Sequence, residues 1–134
     1  MKTKGTTKDS RERLPSERAA IVWHIEVQTT DGPLDCYVTV GLYPDGRPGE
    51  LFLNIRGAGA ERYSGLSDAF AIGVSIGLQH GMPLSEVTEK LCGTRAQPIG
   101  RIGERLSVSL LHAIAARLEA KFYPEKAAAR GDVL

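Results

Sequence analysis

Three arginines occupy positions that favour contact with an anion. Arg56, Arg62 and Arg95 each lie at the edge of a loop, beside glycine-rich backbone. A guanidinium presents its N–H donors in a planar fork that matches the oxygens of a phosphate or a carboxylate. The segment Gly57-Ala58-Gly59 adds a weak phosphate-binding signal, because it joins a predicted strand to a predicted helix. The alternatives are that the arginines are solvated and that the segment is only a turn.

Cysteine and histidine are too sparse to form a strong catalytic or metal-binding pattern. Cys36 and Cys92 are far apart and form no CxxC pair, so we expect reduced thiols and no disulfide framework. His24, His80 and His112 do not stand at a standard zinc-ligand spacing, and we expect no metal site. A small thiol enzyme stays an alternative, which requires one cysteine to meet a histidine in the fold.

The composition is typical of one globular domain. The chain has 134 residues, of which 42% are hydrophobic, and a formal net charge of +1, so nothing draws it as a whole to nucleic acid or membrane. Without a membrane-length apolar run or a signal-peptide pattern, we expect a cytoplasmic protein with no membrane contact. Residues 1–18 are rich in Lys and Arg and predict a basic, mobile tail; the alternative is an arm for nucleic acid or an acidic partner.

The first half of the chain predicts three strands. Apolar and polar residues alternate over residues 20–30, 36–43 and 51–55, which is the period of a half-buried strand. The segment Asp31-Gly32-Pro33 and the proline- and glycine-rich residues 44–49 are turn signals between them. Short connections of this kind favour an antiparallel meander.

The second half predicts helices. Apolar residues recur at a spacing of four over residues 64–80, where Ala69, Gly73 and Gly77 also form a strip of small residues. Interior glycines destabilise a helix by roughly 1 kcal/mol each, so we expect another backbone to pack closely on this strip, or alternatively a ligand to lie on it.

Two further helices complete the predicted domain. A short helix should begin at Pro83 and stop at Gly93, and an apolar stripe from Arg101 predicts a long final helix that ends before Pro124. Residues 19–123 thus predict an α+β domain, with a three-stranded antiparallel meander followed by three helices packed on one face of the sheet. Residues 124–134 should form a frayed tail.

A series of short motifs resembles a known module. In chain order the motifs are RLP at 13–15, YVTVGLY at 37–43, DGRPGELF at 45–52, DAFAI at 68–72, SIGLQ at 75–79, GMPL at 81–84 and TR at 94–95. Together they resemble the TSCPD domain, a small C-terminal accessory domain of adenosylcobalamin (vitamin B12)-dependent ribonucleotide reductases. The resemblance covers about residues 11–123.

The resemblance implies kinship with the reductase and no reductase activity in this chain. In that family a much larger barrel carries the cobalamin, the active-site cysteines and the substrate pocket, and 134 residues are too few to build it. Adenosylcobalamin therefore belongs to the parent reductase, and we expect no cofactor here. The chain departs from the family pattern at His80, Ala96, Gln97 and His112, and Cys36 alone matches a cysteine set found in some relatives, so we carry over no metal site.

Three hypotheses follow. The first is a non-catalytic accessory module that binds a nucleotide, a nucleic acid or a ribonucleotide reductase subunit. Its candidate ligand-binding residues are Arg56, Arg62 and Arg95, with Gln79 and His80 at the end of the predicted helix. The alternative is a structural homo-oligomer in which the small-residue strip packs helices across a dimer. The third is the small thiol enzyme, with Cys36 or Cys92 as its nucleophile.

Overall fold

A computed structural model describes residues 10–131 of the chain. Within this range the strands are β1 Ala20–Thr29, β2 Gly32–Leu42, β3 Pro48–Gly57, β4 Ile99–Ile102 and β5 Arg105–Ser109. The helices are α1 Glu61–Gln79, α2 Leu84–Leu91, α3 Leu110–Phe122 and α4 Pro124–Arg130. None of these helices is both long and apolar enough to span a bilayer.

The five strands form one antiparallel sheet in the order β3-β2-β1-β4-β5. Strand β1 pairs with β2 along its whole length, from Ala20 opposite Gly41 to Thr29 opposite Gly32. A two-residue turn joins these strands, and the Thr29 hydroxyl donates to the Gly32 carbonyl at 2.7 Å. The predicted α+β class and the three-stranded meander are confirmed, and two more strands extend the sheet.

One face of the sheet forms the core. Alternate side chains of the three long strands, among them Val27, Val38 and Val40, are buried against α1 and α3. Because successive side chains of a strand point to opposite faces, this burial explains the alternation in the sequence. Several side chains on the opposite face of the meander, which include Val22 and Phe52, are exposed.

Helix α1 covers the edge of the sheet at β3. The Ser75 hydroxyl accepts the Leu51 N–H at 2.8 Å and lies 3.1 Å from the Leu51 carbonyl oxygen. The same hydroxyl lies 2.8 Å from the Ala71 carbonyl oxygen, so its single proton is shared between the two carbonyls, whereas the Leu51 N–H is fully paired. Covering an edge with a helix is a common protection against unwanted strand pairing.

The predicted long final helix is wrong over residues 101–109, because residues 99–109 form the β4–β5 hairpin. The spacing of Ile102, Leu106 and Leu110 looked helical, but the Leu106 side chain is exposed and contributes nothing to the core. Gly103 makes the hairpin turn with a φ of 59°. Gly100 lets β4 approach β1, since a Cβ there would lie 2.3 Å from the Gln28 carbonyl oxygen.

Both ends of the domain differ from expectation. Residues 124–130, expected to fray, form α4, and the Arg130 guanidinium binds the buried Glu119 carboxylate at 2.6 Å. Residues 10–18, expected to belong to a mobile tail, pack on the domain. Residues 1–9 and 132–134 of the two predicted tails lie outside the described residues.

The close backbone packing expected on the small-residue strip of α1 is not found among the described residues, and only Gly77 has a close neighbour, which is the Met82 side chain. A Cβ at Gly77 would lie 2.8 Å from the Met82 Cε atom, whereas a Cβ at Gly73 would meet no heavy atom of the described chain within 4 Å. Ala69 is exposed as well. The residues in the range 10–131 therefore leave most of this strip uncovered.

A candidate anion-binding cleft

A cleft of about 670 Å³ lies where residues 11–18 cross β3 and α1. We call it the arginine cleft, because three arginines of this N-terminal segment line it. The lining residues that matter here are Arg11, Arg13, Arg18, Phe52, Asp68 and Gln79.

The N-terminal segment is held on the domain by main-chain contacts. The Glu12 N–H donates to the Gln79 carbonyl at 2.8 Å, and the Tyr43 hydroxyl donates to the Glu12 carbonyl. Gly49 makes room for this crossing, because a Cβ there would lie 2.7 Å from the Tyr43 ring and 3.0 Å from Leu14. The three arginines are therefore placed by the fold.

Two of the three arginines already have partners. Arg18 binds both carboxylate oxygens of Glu50, with Nη2 to Oε1 at 3.0 Å, and this hydrogen bonding raises the pKa of Arg18. The Arg11 Nε donates to the Gln79 amide oxygen at 2.8 Å, and the Gln79 amide nitrogen donates to the Gly49 carbonyl at 2.9 Å. Gln79 is buried and thereby fixes the direction of Arg11.

Arg13 is different. It is exposed, lines the same cleft, and makes no hydrogen bond or ion pair with any residue in the range 10–131. Arg11 also keeps its two terminal nitrogens available, because the bond to Gln79 uses Nε. The cleft therefore offers guanidinium donors that the described part of the protein does not satisfy.

The wall opposite these arginines is apolar. Phe52, Ile72 and Ile76 line it, and the Phe52 side chain is 51% exposed. Asp68 also lines the cleft; its position on α1 is roughly 16 Å from that of Gln79, at 1.5 Å per helical residue. Guanidinium groups beside an exposed aromatic ring suit a ligand with an anionic group and a flat ring.

Of the residues proposed from the sequence, Gln79 lines this cleft and His80 follows it at the end of α1. The His80 Nδ1 lies 3.5 Å from the Ser10 hydroxyl, so it also adjoins the N-terminal segment. Arg62 lies in the first turn of α1, roughly 25 Å from Gln79 along the helix. One small ligand cannot bind both ends of α1.

The three arginines proposed from the sequence lie outside the arginine cleft. Arg62 donates to Asp31 at 2.8 Å, and this hydrogen bond raises its pKa. Arg95 lies 3.3 Å from the Ser107 hydroxyl, and Arg56 projects from β3 on the exposed face with its Nε 3.5 Å from the Asn54 oxygen. Whether these three bind a ligand stays a prediction.

Cys36 is not an activated nucleophile. Burial raises the pKa of the Cys36 thiol to about 12, so it is not a thiolate near neutral pH. Cys92 is half-buried, and the next N–H, that of Gly93, donates to His112 Nδ1 at 2.8 Å. This bond occupies the lone pair that a neutral His112 would need as a base. No group of three or more His, Cys, Asp or Glu residues within 10–131 is arranged to hold a metal ion.

Sequence reasoning missed Arg11, Arg13 and Phe52. The two arginines were assigned to the tail because residues 1–18 are rich in charge. A usable signal was Leu14, an apolar residue within that segment. Leu14 packs beside Gly49 and anchors the segment on the domain. The alternation over residues 51–55 places Phe52 on the opposite side of its strand from Leu51 and Leu53, but its sharing of a cleft with the arginines depends on the crossing of the N-terminal segment.

The fold and the cleft define a small α+β domain with a helix-covered antiparallel sheet. The chain belongs to the TSCPD domain family, whose family model matches residues 12–122, and the resemblance seen in the sequence is confirmed. No solved structure matches the chain.

Its curated relatives are much longer proteins. The chain is 37% identical over 98 residues to a vitamin B12-dependent ribonucleotide reductase of Rhodopirellula baltica, which covers 73% of this chain and 9% of the relative. It is 36% identical over 117 residues to the protein of the same name from Streptomyces clavuligerus, which covers 85% of this chain and 12% of the relative. The chain thus spans about a tenth of the length of these relatives.

Proposed function

We propose that this chain is a non-catalytic accessory module that binds the phosphate of a nucleotide in the arginine cleft. The observation that carries the proposal is Arg13, which has no partner among the described residues and shares the cleft with Phe52. Arg13 and Arg11 supply charge-assisted hydrogen bonds to the phosphate, and the Phe52 ring supplies a stacking surface for the base. Gln79 acts as a positioning residue through Arg11.

The proposal is tested by calorimetric titration with ATP and dATP. Arg13→Ala should weaken binding about tenfold or more, since a hydrogen bond to a charged group contributes roughly 1.5–3 kcal/mol. Arg101→Ala is the matched control, because Arg101 is an exposed arginine on β4 outside the cleft. Equal affinity of the wild type and Arg13→Ala for both nucleotides contradicts the proposal.

The arginines proposed from the sequence enter the same titration. Changing Arg56 and Arg95 together to alanine tests the earlier assignment, and Arg62→Ala tests the opposite end of α1. If these variants lose affinity and Arg13→Ala does not, the nucleotide binds outside the arginine cleft.

We propose a ribonucleotide reductase as the macromolecular partner, on the basis of the relatives' names. We propose no cofactor for this chain itself and leave adenosylcobalamin to the reductase. Size-exclusion chromatography with a vitamin B12-dependent reductase that lacks the matching domain should show co-elution; separate elution at micromolar concentrations speaks against this partner.

The second candidate function is structural homo-oligomerisation through α1. Its supporting observation is the uncovered strip at Ala69 and Gly73, next to Leu66, whose side chain is 80% exposed. Light scattering of Gly73→Leu tests it: a wild-type dimer that becomes a folded monomer supports this function. Lys121→Leu, which adds a leucine at an exposed position on α3, controls for the added apolar surface. A monomeric wild type rejects it.

A further inference from the structure

The outer face of the β1–β2–β3 meander presents rows of side chains that no helix of the described residues covers. We call it the open sheet face. Strand register places Val22, Thr39 and Phe52 in one row and His24, Tyr37 and Asn54 in the next. Val22 is 58% exposed and Tyr37 is 39% exposed.

The aromatic groups on this face are oriented by contacts. The His24 and Tyr37 rings stack with their centroids 4.7 Å apart and their planes 17° apart. The Asp35 carboxylate lies 2.6 Å from His24 Nε2 and holds the imidazole in this position. Phe52 is a diagonal neighbour of Tyr37 across β2 and β3, at a distance of roughly 7–8 Å. Two flat surfaces at this spacing suit successive unstacked bases.

Positive charge stands at both ends of the aromatic surface. Phe52 also lines the arginine cleft, so Arg13 adjoins one end. Arg56 projects from the same face of β3, roughly 13 Å further along the strand from Phe52. Three carboxylates of the described residues lie on the face. Glu50 and Asp35 are engaged by Arg18 and His24, which limits their repulsion of a phosphate backbone, and the exposed Glu26 lies on β1, opposite Asp35 and two strands away from Arg56.

We propose that the open sheet face binds single-stranded nucleic acid. Bases stack on Phe52 and on the Tyr37–His24 pair, while Arg13 and Arg56 contact the phosphates on either side. The inference rests on the proposed function at Arg13 and extends it from one nucleotide to a strand. It also gives Arg56, which lies outside the cleft, a role beside the cleft residues.

Fluorescence anisotropy with labelled dT12 and U12 tests the proposal and distinguishes DNA from RNA. Phe52→Ala and Tyr37→Ala should each weaken binding about fivefold to a hundredfold, the range for loss of one stacked base. Phe52→Trp and Tyr37→Phe should retain binding because they keep an aromatic ring. Leu106→Ala, an exposed apolar residue on β5, is the control and should leave affinity unchanged.

The aromatic variants also separate this inference from the proposed function. Tyr37→Ala should weaken oligonucleotide binding and leave ATP binding unchanged, whereas Arg13→Ala should weaken both. If oligonucleotide binding depends on the aromatic residues and ATP does not bind, the inference about the open sheet face holds and the proposed nucleotide site in the arginine cleft is rejected. Absence of binding to both oligonucleotides at 50 mM salt, or binding insensitive to Phe52 and Tyr37, overturns the inference. So does light scattering that shows Phe52→Ala dissociating a dimer, which assigns the face to a second copy.

Discussion

The two faces of the meander are built from the same three strands and serve different purposes. On the inner face Val27, Val38 and Val40 are almost completely buried. On the outer face Val22 and Phe52 leave about half of their surface in contact with water. The inner residues alternate along each strand with the outer ones, so neighbouring residues in the chain belong to different physical environments.

Because the two faces differ in burial, one should mainly determine folding stability and the other should mainly determine ligand binding. Burial of apolar surface contributes roughly 25 cal/mol per Å², so the inner face accounts for much of the folding free energy of the sheet. An exposed side chain contributes little to folding and is available to a ligand. Substitutions on the two faces should therefore affect different measurements.

The largest expected effect is a charge placed on the inner face. Val38→Asp buries a carboxylate without a partner, and we expect a loss of about 4 kcal/mol or more in the free energy of unfolding. Val22→Asp is the matched control on the exposed face and should cost much less. Urea denaturation followed by circular dichroism measures both; equal losses would mean that the two faces are not distinct.

A smaller loss is expected at the sheet edge, between the two faces. Ser75→Ala removes the hydroxyl that accepts the Leu51 N–H and leaves this donor without its partner, and we expect a loss of roughly 1–3 kcal/mol in the free energy of unfolding. Ser107→Ala, at an exposed serine on β5, is the control. Unchanged stability of Ser75→Ala would show that water replaces the hydroxyl at the edge.

The inner face should also make stability depend on alkaline pH. Burial raises the pKa of Cys36 from 9.0 to about 12, so the folded state holds the thiol proton more tightly than the unfolded state. The stabilisation is fully present below pH 9 and is lost as pH rises toward 12, by about 1 kcal/mol between pH 8 and pH 10. Urea midpoints measured at several pH values report this loss, and Cys36→Ala should reduce the slope of the midpoint against pH. Equal slopes in the two proteins would exclude Cys36 as its cause.

The smallest effect on folding is expected on the outer face. Phe52→Ala should change the free energy of unfolding by no more than about 0.5 kcal/mol, because the ring is largely solvated. The same variant should lose oligonucleotide affinity. A loss of stability as large as that of Ser75→Ala would indicate that Phe52 belongs to the core and would remove the contrast between the faces.

Much of the fold could be predicted from local patterns. The alternation of apolar residues in the three strands and their spacing in α1 and α2 both reflect burial on one side. This pattern can be recognised from residues that are close in sequence. The β4–β5 hairpin could not be predicted in this way, since Ile102, Leu106 and Leu110 have helical spacing. Its position depends on the approach of Gly100 to Gln28, which is distant in sequence.

Less of the candidate site could be predicted. Gln79 was proposed from its place at a helix end, and it does line the arginine cleft. Arg11 and Arg13 could not be assigned, because their contacts with α1 and β3 come from residues far along the chain. The sequence identifies a charged segment, whereas its path over the domain is a long-range property.

By itself, the sequence determined the family, the alternation of the meander and the outward position of Phe52, because each depends on residue order or local period. Tertiary structure decided that residues 11–18 cross the sheet edge and that Arg13 shares a cleft with Phe52. It also decided that Gly73 stays uncovered. The physical reason is that close approach between distant segments is set by how their side chains pack, and no local pattern encodes that distance.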